Sequence, residues 1–462
     1  MKIFVSNIYS VLKTSNKDLK KALAKKYRAR APGYEFTPAY KRGQWNGYKY
    51  FFNGTSGKFG TGLLTTITED LEYLDIEYSI VDNRTKLEYS SSSVEGIDFR
   101  DYQETLAKQA LKLKSCIIKA PTGAGKTIIL ASILNALKGK TGLVFFNKKQ
   151  LLYQTYKFLT EHGIECGVAF GDGVDIKPLT LCTIQSIDKV IDSHLTSSEF
   201  IVFDEIHEFS KGKVASKVLK SFPNACVRIG MSATPPTEKF SKLSVCSFLG
   251  KQIEFVTADD LVKEGYLTLP SIEVLTLPDE ELEKYKGMSY PEVYDSYIIN
   301  NTLRNDFIAE ICKNISSKKA KVLILTKNLE HAKLLQALIP NSSKLEGKDG
   351  LLQREEVLEK FVKEEGPSFI IGTIIFQTGV DIPELTHLIN ARGLKSEIAT
   401  IQALGRTLRK HENKNQVYIY DFLDKAPYLE KHAISRVNAY KSLNFNVTTH
   451  ADASKLVADL EA

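Results

Sequence analysis

The segment at residues 120–127, APTGAGKT, has the residue types of a phosphate-binding loop. It lies between an apolar run, CIIKA, and a helix-like run, TIILASILNAL, which is the context such loops require. Its glycines allow backbone N–H groups to surround phosphate oxygens, and the N-terminus of the following helix adds its dipole. Lys126 has the reach to contact β- and γ-phosphates, and Thr127 has a hydroxyl that binds Mg²⁺. Ala120 stands where the strict motif has glycine, yet the remainder predicts a nucleotide site formed by Thr122, Gly123, Ala124, Gly125, Lys126 and Thr127.

Two adjacent acids follow a second apolar run, FIVF. Asp204 and Glu205 stand at the end of that predicted strand, which is where parallel α/β sheets hold their ligands. Asp204 can hold Mg²⁺, usually through water, and Glu205 can orient and deprotonate an attacking water molecule. Behind a phosphate loop, this pair predicts hydrolysis of the nucleotide in addition to its binding.

Positive charge is concentrated in the first 50 residues, which contain twelve Lys or Arg and two acids, whereas the whole chain has a net charge of +7. Nine aromatic residues lie between positions 27 and 52, in and directly after this block. Cations that contact phosphates and rings that stack on bases are typical of nucleic-acid binding. We take Lys41, Arg42 and Trp45 as candidate contacts. The same pattern fits a solvated basic helix packed on a small aromatic core, so both interpretations stay open.

The order of apolar runs predicts the domain organisation. At about 150 residues per domain, 462 residues correspond to about three domains. Residues 1–90 read as a small α+β or mostly β domain, followed by a serine-rich linker. From about residue 99, β-rich runs alternate with helical stretches, as in a parallel sheet covered on both faces, and the rhythm returns after a polar stretch near 236–320. We expect an N-terminal domain at 1–90, two α/β domains at 99–250 and 251–445, and a tail at 446–462.

Composition excludes several classes of protein. The six cysteines are widely spaced and form no CxxC pair, which argues against a disulfide framework or a zinc site and favours a reducing compartment. No apolar run approaches the roughly 18 residues of a membrane span, and the N-terminus lacks a signal-peptide core. We therefore expect a cytoplasmic protein, or one in the host cytoplasm if the gene belongs to a phage.

Asp204-Glu205-Ile206-His207, placed after the phosphate loop, resembles the DExH box of superfamily 2 helicases and translocases. The likeness covers about residues 99–425. It implies an α/β fold with two tandem RecA-like parallel-sheet motor domains, here preceded by a small α+β DNA-binding domain. It also implies ATP and Mg²⁺ as cofactors and an ATP site between the two motor domains, which would close with ATP and relax after hydrolysis.

Further segments of the first motor domain resemble family motifs in the family's order. They imply three roles: reading of adenine, contact with the nucleic-acid backbone, and coupling of hydrolysis to motion. The adenine residues would be Arg100 and Gln103, the backbone contacts Asn147, Lys148, Thr183 and Gln185, and the coupling residues His207, Ser232 and Thr234.

The second motor domain shows matching segments. Thr326 and Thr378 would contact nucleic acid, and Gly379 and Asp381 would contact the nucleotide. The segment at 402–409, QALGRTLR, resembles the arginine-finger motif. It implies catalytic roles for Gln402, Arg406 and Arg409 beside Lys126, Asp204 and Glu205.

Within the superfamily, the chain resembles phage recombination helicases of the UvsW type, which are ATP-driven enzymes that act on branched DNA. It is compact, its residues 301–305 resemble their second-domain entry, and residues 36–47 resemble the F-x-P and W-D-G run of their N-terminal domain, although Asn46 stands where aspartate is common. We expect fork regression and branch migration on DNA, largely independent of sequence, by a monomer.

Three alternatives remain. An RNA helicase of the same architecture would carry the same box. The motor subunit of a restriction-type nuclease complex is less favoured, because the sequence shows no added PD-…-ExK-like constellation. An ATP-binding switch or scaffold would not need Glu205 or both arginines.

Overall fold

The computed structural model describes most of the chain, and the description below is confined to that part: residues 1–171, 173–194, 197–210, 218, 221–277, 281–315, 320–346, 349, 351–373, 382–395, 408, 414, 416–442 and 445–451. The chain divides into two compact units, Met1–Val256 and Thr257–Ala462.

The first unit begins with a four-stranded sheet in the order β5-β2-β1-β6, and a separate two-stranded ribbon formed by β3 and β4. A buried apolar core that includes Ile3, Phe52 and Ile67 lies beneath the sheet. Asn16 caps α1 by accepting a hydrogen bond from the N–H of Leu19. The elements are β1 (Lys2–Val5), β2 (Tyr9–Lys13), α1 (Lys17–Lys26), β3 (Arg28–Arg30), α2 (Pro38–Lys41), β4 (Tyr48–Tyr50), β5 (Lys58–Gly60), α3 (Leu64–Tyr73) and β6 (Ser79–Asp82).

The same unit continues with an eight-stranded sheet in the order β10-β9-β11-β8-β12-β13-β7-β14. All neighbouring strands are parallel except β10 and β9. Every residue of β8, β12 and β13 is buried, as expected for strands covered on both faces. The elements are α4 (Asp101–Leu113), β7 (Ser115–Lys119), α5 (Lys126–Ala136), β8 (Gly142–Phe146), α6 (Lys149–Glu161), β9 (Gly167–Phe170), β10 (Gly173–Asp175), β11 (Leu179–Thr183), α7 (Ile187–His194), β12 (Phe200–Phe203), β13 (Val227–Ser232), α8 (Lys239–Leu249) and β14 (Lys251–Ile253).

Helix α8 belongs to two cores at once. Its Phe240, Leu243 and Cys246 pack against the N-terminal core. Its Val245, Phe248 and Leu249 belong to the core of the eight-stranded sheet. The N-terminal domain that the sequence predicts is therefore part of the first compact unit. The first unit also extends beyond the expected boundary at 250, because β14 pairs with β7.

Two glycines allow the N-terminal chain to reach the backbone of α8. A Cβ at Gly60 would overlap the carbonyl oxygen of Ser247, and a Cβ at Gly62 would overlap that of Cys246. Any larger residue would force the turn and the helix apart, so close contact between these backbones depends on glycine.

The second unit contains a seven-stranded sheet in the order β17-β18-β16-β19-β20-β15-β21, and all its neighbouring strands are parallel. A π-helical segment spans Tyr294–Ile299. The elements are α9 (Ala258–Lys263), β15 (Leu269–Leu275), α10 (Tyr290–Val293), α11 (Thr302–Asn314), β16 (Lys321–Leu325), α12 (Leu329–Leu338), β17 (Ser342–Leu345), α13 (Leu351–Lys363), β18 (Ser368–Gly372), β19 (His387–Asn390), β20 (Gln416–Phe422), α14 (Leu429–Ser442) and β21 (Asn446–His450).

Strand β21 corrects one expectation. The sequence predicts a tail at residues 446–462, but Asn446–His450 forms an edge strand of the sheet, parallel to β15. Two contacts of His450, at the C-terminal end of the strand, hold it there: the N–H of Thr276 donates to the carbonyl of His450, and His450 Nε2 lies 2.6 Å from Glu273 Oε2.

The cysteines are free thiols, and five of the six are buried. Burial raises the pKa of Cys116 to about 12, which makes that thiol an inert core group. Among the described residues, no helix has both the length and the apolar character to cross a membrane.

Candidate active site and nucleic-acid contacts

The phosphate loop lies between β7 and α5, as its sequence predicts. Gly123 and Gly125 have φ values of 87° and 76°, in the left-handed region that favours glycine. A Cβ at Gly125 would lie 2.5 Å from Gln103 Nε2, so the loop has room only for glycine at that position. Gly125 supplies no side-chain cap to α5, which leaves N–H groups of the first helical turn available to an anion.

The acid pair lies at the carboxyl end of β12, beside the loop. Glu205 Oε1 forms an ion pair with Lys126 Nζ at 2.5 Å. Ser232 Oγ, at the end of β13, donates to Glu205 Oε2 at 3.3 Å. His207 Nδ1 lies 2.8 Å from the same hydroxyl, and the N–H of Thr234 donates to it at 3.0 Å. The residues predicted for phosphate binding, hydrolysis and coupling thus form one continuous network.

The two acids of the pair differ in electrostatic environment. Burial raises the pKa of Asp204, and the neighbouring charge of Glu205 raises it further. Burial acts in the same direction on Glu205, but Lys126 and His207 outweigh it and hold the pKa of that carboxyl well below its usual range. Glu205 is therefore a stable carboxylate, whereas at Asp204 burial and the charge of Glu205 outweigh the opposite effect of Lys126 on the pKa.

One oxygen of Asp204 has no hydrogen-bond partner. Asp204 Oδ1 is buried, and so is Thr234 Oγ1; neither has a partner among the described residues. Buried polar atoms are normally satisfied, and an unsatisfied carboxylate oxygen beside a phosphate loop fits a bound cation or its water shell. The residues present therefore fit a nucleoside triphosphate together with a divalent cation.

Gln103 lies under the phosphate loop and is fully buried. Its Nε2 donates to the carbonyl of Ala124 at 2.9 Å, and its Oε1 accepts from the N–H of Arg100 at 3.0 Å. Tyr102 Oη donates to the same Ala124 carbonyl at 2.9 Å and accepts from Arg100 Nη1. The amide of Gln103 is thus engaged with backbone, and its predicted contact with adenine stays a prediction. Tyr102 lies between Arg100 and Gln103 in the sequence but is not among the predicted site residues.

The predicted nucleic-acid contacts of the first motor domain lie at the carboxyl ends of the adjacent strands β8 and β11. Gln185 Nε2 donates to the carbonyl of Asn147 at 3.5 Å, and Asn147 Nδ2 donates to Glu208 Oε2 at 3.0 Å. Lys148, the next residue, is half-buried. Thr183 is buried, and its hydroxyl donates to Ser186 Oγ.

Glu208, which our sequence analysis did not select, joins these residues to the DExH box. Its Oε1 lies 3.7 Å from His207 Nε2. Its position directly after His207 in the sequence was the signal that could have identified Glu208.

In the second unit, the side chain of Thr326 is turned inward. The residue is 1% exposed, and its hydroxyl donates to the carbonyl of Asn328 at 3.3 Å. The other predicted residues of this unit lie outside the described part of the chain: Thr378, Gly379, Asp381, Gln402, Arg406 and Arg409.

The three N-terminal candidates differ in placement. Lys41 and Arg42 are exposed at the end of α2. Trp45 is half-buried, and its indole N–H donates to the carbonyl of Tyr48 at 2.8 Å, so it braces the chain beside β4. The ribbon of β3 and β4 instead carries arginines and tyrosines that are not among the predicted contacts. Antiparallel pairing of the two strands brings these side chains together.

Comparison with known proteins agrees with this architecture. Residues 96–237 match the family described as "Type III restriction enzyme, res subunit", and residues 305–411 match the "Helicase conserved C-terminal domain". With the two parallel sheets and the DExH network, these matches place the chain in superfamily 2 of the helicases, with two tandem RecA-like motor domains. The predicted family and fold class are confirmed.

Curated relatives specify the activity further. The chain is 25% identical to "ATP-dependent DNA helicase uvsW" of Enterobacteria phage T4, over 90% of this chain and 92% of that protein. It is also 25% identical to "DNA 3'-5' translocase XPB2" of Sulfurisphaera tokodaii, over 69% of this chain and 80% of that protein. The family matches identify a helicase, as predicted, and the two relatives are named as a DNA helicase and a DNA translocase.

A solved structure shares the fold. The restriction-modification enzyme LlaBIII, solved bound to DNA, aligns with 86% of this chain and 36% of its own, with a TM-score of 0.61 and 16% identity.

Proposed function

We propose that this DNA helicase acts on branched DNA, regressing forks and migrating junctions without sequence preference. The observation that carries the proposal is the shared helix α8, which joins a basic, aromatic N-terminal domain to the motor that contains the ATP site. A domain fixed in this way could hold one part of a branched substrate while the motor moves another. The resemblance of residues 36–47 to the N-terminal run of UvsW-type helicases supports the same substrate.

Lys126 and Glu205 would exchange partners during the ATP cycle. In the structure they pair with each other. The γ-phosphate would draw the Lys126 ammonium away, because a phosphate carries more negative charge than one carboxylate. Glu205 would then be free to orient the attacking water and to take its proton.

Thr127 and Asp204 are the residues that would hold Mg²⁺. Thr127 is in the first turn of α5, and Asp204 offers the unsatisfied buried oxygen. When bound, the ion would supply positive charge to the β- and γ-phosphate oxygens. The hydroxyl and the carboxylate would orient it, and the backbone of residues 122–125 would bind the phosphates.

Ser232 and His207 would couple a change in the partner of Glu205 to the rest of the unit. The Ser232 hydroxyl contacts Glu205, His207 and the backbone of Thr234. When Glu205 changes partner, these hydrogen bonds rearrange. Thr234 lies shortly before α8, and Glu208 leads to Asn147 and Gln185, so both candidate DNA-contacting regions connect to the nucleotide.

The test measures ATP hydrolysis with no nucleic acid, linear duplex, single-stranded DNA, single-stranded RNA and a four-way DNA junction. We expect stimulation by DNA, strongest with the junction. Stimulation by RNA alone would overturn the choice of DNA, and equal stimulation by linear and branched DNA would overturn the choice of branched substrates. No stimulation at all would favour an ATP-binding switch.

Lys126→Ala is the matched control for that assay. It removes the phosphate-contacting ammonium but leaves the N-terminal domain intact. We expect it to abolish ATPase activity while DNA binding remains. Loss of DNA binding with retained ATPase would contradict the assignment of the site.

A further inference from the structure

The ribbon formed by β3 and β4 has two chemically different faces. Its strands are antiparallel, with Arg28 opposite Tyr50 and Arg30 opposite Tyr48. The middle pair, Ala29 and Lys49, points to the other side. Ala29 is buried in the N-terminal core, and Lys49 lies over Phe51 and Phe240. The four outer side chains, together with Tyr34, are called the ribbon face below.

The side chains of the ribbon face alternate as cations and rings. The Arg28 guanidinium lies 4.3 Å from the ring centre of Tyr48 and 5.9 Å from that of Tyr50. The Arg30 guanidinium lies 4.9 Å from the ring centre of Tyr34 and 5.5 Å from that of Tyr48. Rings and guanidinium groups therefore alternate from Tyr50 through to Tyr34, within the range of cation–π contacts.

Hydrogen bonds hold this array in place. Arg28 Nη1 donates to Tyr50 Oη at 3.3 Å, and Arg30 Nη1 donates to Tyr34 Oη. The ring of Tyr34 also packs against Gly47, where a Cβ would lie 2.5 Å from the ring. The array is thus ordered before any ligand binds, which lowers the entropy cost of binding.

Part of the array is exposed to solvent, whereas Arg28, Tyr34 and Tyr48 are half-buried. Tyr50 is 46% exposed, and Arg30 is exposed at its edge. Phe36, two residues after Tyr34, is 78% exposed. Exposed rings in a positively charged surface point to a ligand that has both flat apolar faces and negative charge.

We propose that the ribbon face binds unpaired bases of DNA, next to the point where strands of a branched substrate separate. This proposal rests on the proposed function and adds to it the part of the substrate that the N-terminal domain contacts. Bases stack on aromatic rings and guanidinium planes, and the arginines neutralise the phosphates between them.

Geometry favours unpaired bases over a duplex. In a duplex, each base is covered on both sides by its neighbours, so its flat faces cannot reach the tyrosines. Alternate side chains on a strand are about 7 Å apart, which is about two base steps of 3.4 Å. The ribbon face therefore has the length for two or three stacked bases. Phosphate contact alone would not require planar side chains, since lysine provides the same charge.

The test uses the full chain without nucleotide. Its probes are a forked DNA with 2-aminopurine at the first unpaired position and a blunt duplex of equal length. The variant Arg28→Lys with Arg30→Lys keeps both charges but loses the planar groups. The variant Tyr48→Leu with Tyr50→Leu keeps apolar bulk but loses the rings. For both, we expect fork affinity to fall by about five- to 150-fold per base released, with loss of the 2-aminopurine signal and unchanged duplex affinity.

Two controls make the result specific. Tyr50→Phe keeps the ring and removes only the hydroxyl that accepts from Arg28, so it should lose far less fork affinity than the leucine variant. Lys17→Ala with Lys21→Ala removes two exposed charges from α1 and should weaken fork and duplex binding alike, and only slightly. If the tyrosine variant fails to fold, the lysine variant decides, because it conserves charge and approximate size.

Two outcomes overturn the proposal. Equal losses on fork and duplex would mean that the ribbon face contacts the phosphate backbone. Unchanged fork affinity in the lysine variant would mean that the arginine–tyrosine contacts only brace the ribbon. Either can occur while junction-stimulated ATPase of the wild type persists, so failure here is distinct from failure of the proposed function, which the ATPase assay reports.

Discussion

Replacement of Glu205 by glutamine separates binding of ATP from its hydrolysis. The carboxylate forms an ion pair with Lys126 at 2.5 Å, and the two side chains are only 18% and 16% exposed. Glutamine has nearly the same shape and can still accept the hydrogen bond from Ser232. The change therefore removes a charge with little disturbance of packing.

Two opposite effects should follow. A hydrogen bond to a charged group contributes about 1.5–3 kcal/mol, and ATP must break this one to engage Lys126. Without it, ATP should bind about tenfold more tightly, taking the lower figure. The variant also lacks the carboxylate that we propose accepts a proton from water, so hydrolysis should slow by about 10²- to 10⁴-fold.

Equilibrium titration with a fluorescent ATP analogue measures the first effect, and steady-state phosphate release measures the second. Glu165→Gln is the matched control, because Glu165 pairs with Lys177 at 2.9 Å on the surface, where ion pairs contribute little. It should change neither quantity. Weaker ATP binding by Glu205→Gln would refute the competition between carboxylate and phosphate, and undiminished hydrolysis would refute the role of Glu205 as base.

The remaining predictions concern pH, the phosphate loop and the glycine contact with α8. Burial lowers the pKa of His331 to about 3 and that of His387 to about 4, from 6.5. The unfolded chain thus binds protons that the folded chain does not, and the free energy of unfolding should fall below pH 6.5, by about 2 kcal/mol per histidine at pH 5. Thermal unfolding at pH 7 and pH 5 tests this, and His387→Phe should remove about half of the difference. Gln103→Ala removes the amide donor to the Ala124 carbonyl, so KM for ATP should rise about fivefold or more; an unchanged KM would show that the Tyr102 hydroxyl suffices. Gly62→Ala should lower the free energy of unfolding by about 1–3 kcal/mol through overpacking, whereas Gly366→Ala, at an open position, should not change it.

The sequence could predict that these candidate residues lie together, because they follow the ends of neighbouring strands. Glu205 and Ser232 lie at the carboxyl ends of β12 and β13, and Lys126 opens α5 after the loop that follows β7. Parallel strands bring their carboxyl ends to one edge. The position of each motif at a strand end therefore predicted where its residues lie in the fold. The alternation of β-rich and helical runs predicted the two-sheet architecture.

Other features depend on contacts that periodicity does not encode. Strand β14 follows α8 without a turn-rich segment, and β21 is a short polar run, so neither resembles a core strand in isolation. The direction in which the Gln103 amide points depends on the loop above it. The ribbon face pairs residues about 20 positions apart, and the register that places Arg28 opposite Tyr50 cannot be read from periodicity within either strand.

The contact of Gly60 and Gly62 with α8 also constrains how this protein can evolve. Replacement of the first 60 or so residues by another nucleic-acid-binding module would leave Phe240, Leu243 and Cys246 facing solvent. A replacement module without glycines at the turn could not approach the helix backbone. Substitutions in the turn and in the helix must therefore be inherited together. Truncation at the linker would for the same reason expose an apolar stripe, so point variants on the surface are the sounder way to dissect the N-terminal domain.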